Sequence, residues 1–196
     1  MYLDKLFNLK DKVAAVIGAG GHLCSEMAKS FARVGCKVVI IDLRLHKAQQ
    51  VEKEINKEGF NDTLSLVLDV SRKEDHYKAL KEITNKFGTL DILINGAGTN
   101  GSTPFLEIED EEWDGIMNSQ IKGTFYGCQV FGEYMLKNKK GSIINISSAS
   151  ASPPLSKAFT YSAAKAGIKN LTQNLGREWG TKGVRVNAIR PGFFPT

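Results

Sequence analysis

The chain has 196 residues, 42% of them hydrophobic, and a formal net charge of +5, which suits one domain over 1–196 with a sizeable core. No run of about 18 apolar residues offers a membrane span, and the start, Met1-Tyr2-Leu3-Asp4-Lys5, lacks the apolar stretch of a secretory signal. Cys24, Cys36 and Cys128 are odd in number and show no metal-ligand spacing, so reduced thiols in a cytoplasmic setting are expected, and no metal.

Apolar, β-branched runs alternate with helical segments along the chain. A strand over Lys12–Ile17 leads into a helix over His22–Val34, and a strand over Lys37–Ile41 into a helix over Leu45–Glu58. Thr63–Leu68 leads likewise into Lys73–Phe87. Asp91–Asn95 is a fourth strand, followed by a long helical segment over Asp110–Asn138 with a bend or break near Gly123 or Gly127. The acidic run Glu107–Glu112 charges the start of that segment favourably. Ser142–Ile146 and Val184–Ile189 complete six strands, with a helix over Thr160–Gly180 between them. This alternation predicts an α/β fold, a parallel sheet with helices on both faces. A sheet of this kind usually closes with one more strand, so a truncated C-terminus is expected. Trp113, Phe125 and Phe131 read as core, and His46 and His76 as solvated.

The charge is unevenly placed. Residues 141–196 hold seven basic residues and one acid, Glu178, whereas residues 1–140 hold 19 basic and 20 acidic. Two readings stand: attraction of anionic ligands, or a balance restored by further C-terminal sequence. No basic cluster is interleaved with aromatics, so nucleic acid is not expected as a partner.

Two constellations carry chemistry. The first is Gly18-Ala19-Gly20-Gly21-His22-Leu23 between the first strand and the first helix. Glycines there let backbone approach a pyrophosphate at the helix N-terminus. Asp42 ends the next strand, where a carboxylate accepts hydrogen bonds from ribose hydroxyls and repels a 2′-phosphate, favouring NAD over NADP. Arg44, two places on, pulls the other way. Asp69-Val70 and Asn95-Gly96-Ala97-Gly98 end the third and fourth strands, where ligands bind in parallel sheets; a helix cap and a tight turn are their plainer alternatives. The second constellation is Tyr161-Ser162-Ala163-Ala164-Lys165, with Ser148 thirteen residues upstream of Tyr161. Helical spacing places Tyr161 and Lys165 on one face. A cation about 4 Å from a phenol is worth up to roughly 4 kcal/mol at an effective dielectric of about 20, enough to bring the phenol toward working pH. Ser148 would bond the same substrate oxygen, with Ser147 and Ser150 as bystanders unless Ser150 faces the substrate.

Taken in order, these residues and the terminal Pro191-Gly192 resemble the short-chain dehydrogenase/reductase family, over nearly the whole chain. The resemblance implies a Rossmann-type, doubly wound α/β/α domain and hydride transfer between NAD(P) and an alcohol/carbonyl pair. It implies that Tyr161 is the acid/base, that Ser148 orients the substrate oxygen, and that Lys165 binds the nicotinamide ribose and tunes the tyrosine. Pro191, Gly192 and Thr196 would join Gly18, Gly20, Gly21, His22, Leu23, Asp42, Asp69, Val70, Asn95, Ala97 and Gly98 around the cofactor. It also implies a homodimer or homotetramer built from the long helices at 110–138 and 160–180.

Three features depart from the family pattern. His22 and Cys24 stand where the turn usually carries glycines; Cys24 reads as structural and His22 as solvent-facing or aimed at the pyrophosphate. Gly96 replaces the second of two asparagines, and Gln120 stands where a catalytic Asn is usual. Within the family, Pro154-Leu155-Ser156-Lys157 and Pro191-Gly192-Phe193-Phe194 look like a branch acting on sugar acids. Lys157 would then pair with a substrate carboxylate, its alternative being a solvated surface lysine. A small polyol, sugar or sugar acid is the expected substrate; the rivals are a 3-oxoacyl or steroid-type reductase and a nucleotide-binding protein without turnover.

Overall fold

Val13–Ile17 (β1) is apolar and buried at every position, as a strand covered on both faces must be. The computed structural model describes residues 7–153 and 155–193. Pro154 and Thr196, each placed near the site by the sequence, lie outside the described residues. Around β1 stand β2 (Lys37–Asp42), β3 (Thr63–Val67), β4 (Ile92–Asn95), β5 (Gly141–Ile146) and β6 (Val184–Ile189). All pair in parallel, in the order β3-β2-β1-β4-β5-β6. This is the Rossmann-type sheet that the sequence predicts, with every strand end within one residue of expectation.

Strand alternation sorts the core into two layers. Val13, Ala15 and Ile17 face one side, against Ile83 of α3 (Lys73–Phe87), Phe131 and Met135 of α5 (Gly123–Lys137) and Trp179 of α6 (Phe159–Trp179). Ala14 and Val16 face the other, against Ala28 and Ala32 of α1 (His22–Arg33) and Ile55 of α2 (Leu45–Lys57). Small residues on α1 let it lie close to the sheet, which sets its N-terminus at the carboxyl end of β1.

The long segment expected over 110–138 is broken earlier than its glycines suggest. α4 (Asp110–Met117) passes into a π-helical turn at Asn118–Lys122 before α5 begins. Gly123 and Gly127 serve packing instead. A Cβ on Gly123 would come within 2.7 Å of Val70 Cβ, and one on Gly127 would overlap the Asn95 carboxamide.

Three burial expectations need correction. Phe131 is fully buried as expected, but Trp113 and Phe125 are 41% and 43% exposed; they lie on helix faces turned from the sheet. His76, expected in solvent, is fully buried. It shares the inward face of α3 with Ala79 and Ile83, the stripe that three- and four-residue spacing defines. Its ring lies edge-on to Tyr126 and Phe131, with centroids 6.0 Å away in each case. Its Nδ1 lies 3.0 Å from the Arg72 carbonyl, so Nδ1 carries the proton of the neutral ring. Burial holds His76 below its ordinary value of 6.5. As pH falls, the unfolded chain therefore takes up this proton first, and the stability tied to the neutral ring is lost from about pH 6.5 downward. The thermal midpoint is expected to drop between pH 7 and 5, and His76→Phe to flatten that drop. An equally steep fall in the variant would assign the effect elsewhere.

Candidate active site

A cleft of about 690 Å³ opens where β1 and β4 adjoin, the point at which strand order reverses. Gly18, Gly21, Asp42, Asp69, Val70 and Gly98 line it. Gly18 sits at φ +83°, a conformation open to glycine, and a Cβ there would come within 2.7 Å of the Ala97 backbone. Its N–H and that of Ala19 donate to the Ile41 carbonyl, folding the turn back over β2. α1 begins at His22 with Gly21 as its N-cap and no side-chain cap. No side chain of the N-cap competes for the Leu23 and Cys24 N–H groups of its first turn, and a dinucleotide's pyrophosphate fits a glycine turn followed by such a helix start. His22 is exposed. Leu23 packs against the apolar layer under α1 instead of lining the cleft.

Asp42 does more than the sequence suggests. Its Oδ2 accepts from the Gly20 N–H and its Oδ1 from the Arg44 N–H, each at 3.0 Å. A Cβ on Gly20 would lie 2.7 Å from Oδ2, so the missing side chain is what admits the carboxylate. Each oxygen keeps acceptor capacity for a ribose hydroxyl. The Arg44 guanidinium stands 3.9 Å from Oδ1 and is largely exposed. Asp69 accepts from the backbone and hydroxyl of Ser71 at 2.9 and 2.7 Å, bracing its own turn; the residue at the N-cap of α3 is Arg72.

Beneath the cleft, Asn95 and Asn145 stand side by side in register. Asn95 Nδ2 donates to Asn145 Oδ1, and Asn145 Nδ2 to Thr172 Oγ1, both at 2.9 Å. Thr172 donates in turn to the Ile168 carbonyl at 2.7 Å. This buried chain ties β4 and β5 to α6, the helix that presents Tyr161 and Lys165.

Tyr161 lies half-buried on the first turn of α6, with Lys165 buried one turn below. The Lys165 ammonium sits 5.4 Å from the Tyr161 ring centroid. Its Nζ donates to the Ile146 carbonyl at 2.6 Å, two residues before Ser148. Burial pulls Lys165 down to about 8. Ser147, one of the expected bystanders, is buried and donates to the Lys165 carbonyl at 2.9 Å, joining the end of β5 to α6. Ser148 Oγ accepts from the Ser150 N–H at 3.2 Å and from the Ser150 hydroxyl at 3.0 Å. Ser150 itself is buried. Pro191 accepts from the Ala149 N–H at 2.9 Å, and Gly192 follows it in the open. Lys157 is exposed, at φ +55°, and among the described residues no bond ties it to this group.

Two of the departures from pattern, Cys24 and Gly96, meet in space. A Cβ on Gly96 would overlap the Cys24 sulfur, so the thiol fills volume that glycine leaves. Burial pushes the Cys24 thiol up to about 11, so it is a packed, protonated group. Gln120, inside the π-helical turn, packs its carboxamide where a Cβ of Gly98 would stand. Its Nε2 donates to the Thr99 carbonyl at 2.7 Å, and its own carbonyl accepts from the Thr124 hydroxyl at 2.8 Å. Its Oε1 is buried without a partner among the described residues.

The sequence model of the family described as short chain dehydrogenase matches residues 12–196. The chain belongs to this family. It is 38% identical to an uncharacterized oxidoreductase, UxuB, of Bacillus subtilis over 96% of this chain and 73% of that protein. It is 36% identical to an NAD-dependent glycerol dehydrogenase of Listeria innocua over 98% of this chain and 74% of that protein. Among solved structures it resembles NAD+-bound xylitol dehydrogenase, with a TM-score of 0.92, 25% identity, and coverage of 96% of this chain and 73% of that one. As a short-chain dehydrogenase the protein is an oxidoreductase acting on CH–OH groups. No helix among the described residues is long and apolar enough to cross a membrane.

Proposed function

We propose that this oxidoreductase uses NAD to interconvert an alcohol and a carbonyl on a small polyol, sugar or sugar acid. The observation that carries the reading is the Lys165 ammonium set against the Tyr161 ring and anchored on the Ile146 carbonyl, at the end of the strand that leads into Ser148. NAD, when bound, supplies the hydride chemistry. Gly18, Gly20, Gly21 and the start of α1 would hold its pyrophosphate, and Asp42 its adenosine ribose. Asp69, Val70, Asn95, Ala97, Gly98, Pro191 and Gly192 complete its surroundings.

The chain's own residues handle the proton. Tyr161 Oη gives its proton to the oxygen of the reduced carbonyl, and Lys165 offsets the charge left behind. Ser148 Oγ already accepts twice from Ser150, so its own proton is what it has to offer. A serine so held donates to a substrate oxygen as charge develops there. Gln120 bears on the site as a positioning residue through Thr99. The sugar-acid reading rests on Lys157 and on the cationic excess of residues 141–196. Exposed Trp113 and Phe125 supply apolar surface for the homodimer or homotetramer proposed along α4, α5 and α6, and the buried, unlinked thiols suit a cytoplasmic setting.

The test is a panel of glycerol, xylitol, gluconate, diacetyl and a 3-oxoacyl thioester with NAD and NADP. Turnover of a polyol or sugar acid is expected, with kcat/KM for NAD about tenfold or more above that for NADP, since Asp42 opposes a 2′-phosphate. Turnover confined to the thioester would replace the substrate reading. NADH binding without turnover of any member would replace the catalytic one.

A further inference from the structure

Two strand ends meet beside Ser148, and one side chain joins them. The Ser147 N–H donates to the Ile189 carbonyl and the Ala149 N–H to the Pro191 carbonyl, each at 2.9 Å. Between these two backbone bonds comes Arg190. Its Nε donates to the Ser148 carbonyl at 3.2 Å and its Nη2 to the Ala149 carbonyl at 3.1 Å. The planar fork thus holds two successive carbonyls of the turn that carries the serine, a geometry an ammonium does not reproduce. The Ser148 carbonyl also accepts from the Ala151 N–H at 3.1 Å, which starts the short 3-10 turn Ala149–Ala151. That turn brings Ser150 round to donate to Ser148 Oγ. Arg190 has no carboxylate partner among the described residues, and the acid of residues 141–196, Glu178, pairs with Lys182. Its guanidinium is therefore committed to the turn and not to an ion pair.

We propose that Arg190 is a positioning residue for Ser148, fixing the turn so that the serine proton points at the substrate oxygen. The inference rests on the catalytic reading of Ser148 given above. Because Arg190 directly precedes Pro191-Gly192, the same contact locks the serine turn to the strand end that leads into the cofactor's surroundings. Loss of the fork frees the Ser148 and Ala149 carbonyls and lets the 3-10 turn relax, while the Asn95–Asn145–Thr172 chain and α6 stay in place.

The experiment compares Arg190→Ala, Arg190→Lys, Ser148→Ala and the Ser148→Ala/Arg190→Ala double variant, on the best substrate of the panel and with NADH binding followed by fluorescence. Arg190→Ala is expected to lower kcat roughly 10- to 100-fold, the scale of a small misplacement of a reacting group, with NADH affinity within about twofold. Added guanidinium ion should restore part of kcat; Arg190→Lys should not restore it fully. In the Ser148→Ala background, Arg190→Ala should cost little more, since the group it aims is gone. Independently of activity, hydrogen exchange at the Ser150 and Ala151 amides should quicken in Arg190→Ala while the α6 amides keep their protection. Full activity in Ser148→Ala would overturn the reading of the serine. A strong loss in Ser148→Ala with normal kcat in Arg190→Ala, or full additivity in the double variant, would overturn the role of Arg190 alone. Should Arg190→Ala fail to fold, Arg190→Lys decides: unchanged kcat and unchanged exchange at Ser150 and Ala151 would overturn the proposal.

Discussion

Tyr161→Phe is expected to lower kcat about a thousandfold while NADH binds within about twofold of the native protein, the loss matching removal of a positioned general acid. The argument is steric as well as chemical. Phenylalanine keeps the ring, so the half-buried first turn of α6 and the contact with the Lys165 ammonium are retained, and only Oη is lost. Lys165 remains anchored on the Ile146 carbonyl, so the cleft that receives the cofactor keeps its shape. Steady-state turnover on the best panel substrate and fluorescence titration with NADH separate the two effects. Activity within tenfold of native would remove Tyr161 from proton transfer. A companion expectation follows from burial of Lys165, which lowers it to about 8. As pH rises through that value the free enzyme loses the cation, so kcat/KM for carbonyl reduction should fall on the alkaline side.

Much of the architecture was legible because it is written locally. The β1 run is apolar at successive positions, and α3 repeats its apolar residues at helical spacing, so periodicity alone places both. Tyr161 and Lys165 are four apart on one helix, which makes their meeting a local fact. The remaining site contacts join residues far apart in the chain. Gly20 to Asp42, Gln120 to Thr99, and Arg190 to Ser148 and Ala149 depend on which strand ends adjoin, and no spacing rule encodes that. His76 is different, since its place on the stripe with Ala79 and Ile83 was readable; residue polarity outweighed position. Conversely, the aromatic character of Trp113 and Phe125 suggests the core, whereas their helix positions turn them outward. The π-helical turn is legible only as an interruption, because the glycines that suggest a break, Gly123 and Gly127, serve close packing against Val70 and Asn95.

The Cys24–Gly96 contact turns two departures from the family pattern into one testable unit. Gly96→Ala puts a methyl group into the Cys24 sulfur, with the Ile17 carbonyl 3.2 Å and Ile146 Cγ1 3.3 Å away on the other sides. The end of β4 is held by the Gly96 N–H bond to Ile17 at 3.0 Å and by Asn95, so it has little room to yield. Overpacking of this kind costs about 3 kcal/mol. Cys24→Ala removes only the sulfur and leaves a small void, at about 1 kcal/mol. If the two positions share one volume, the double variant Cys24→Ala/Gly96→Ala should be more stable than Gly96→Ala alone, with a coupling of about 2 kcal/mol. Denaturant unfolding of the four proteins measures it. NADH affinity should follow the same order, because Gly96 lines the cleft beside Gly18 of the turn proposed to cradle the pyrophosphate. Additive losses would mean that thiol and glycine are independent, and that the substitution of both positions in this chain needs two explanations instead of one.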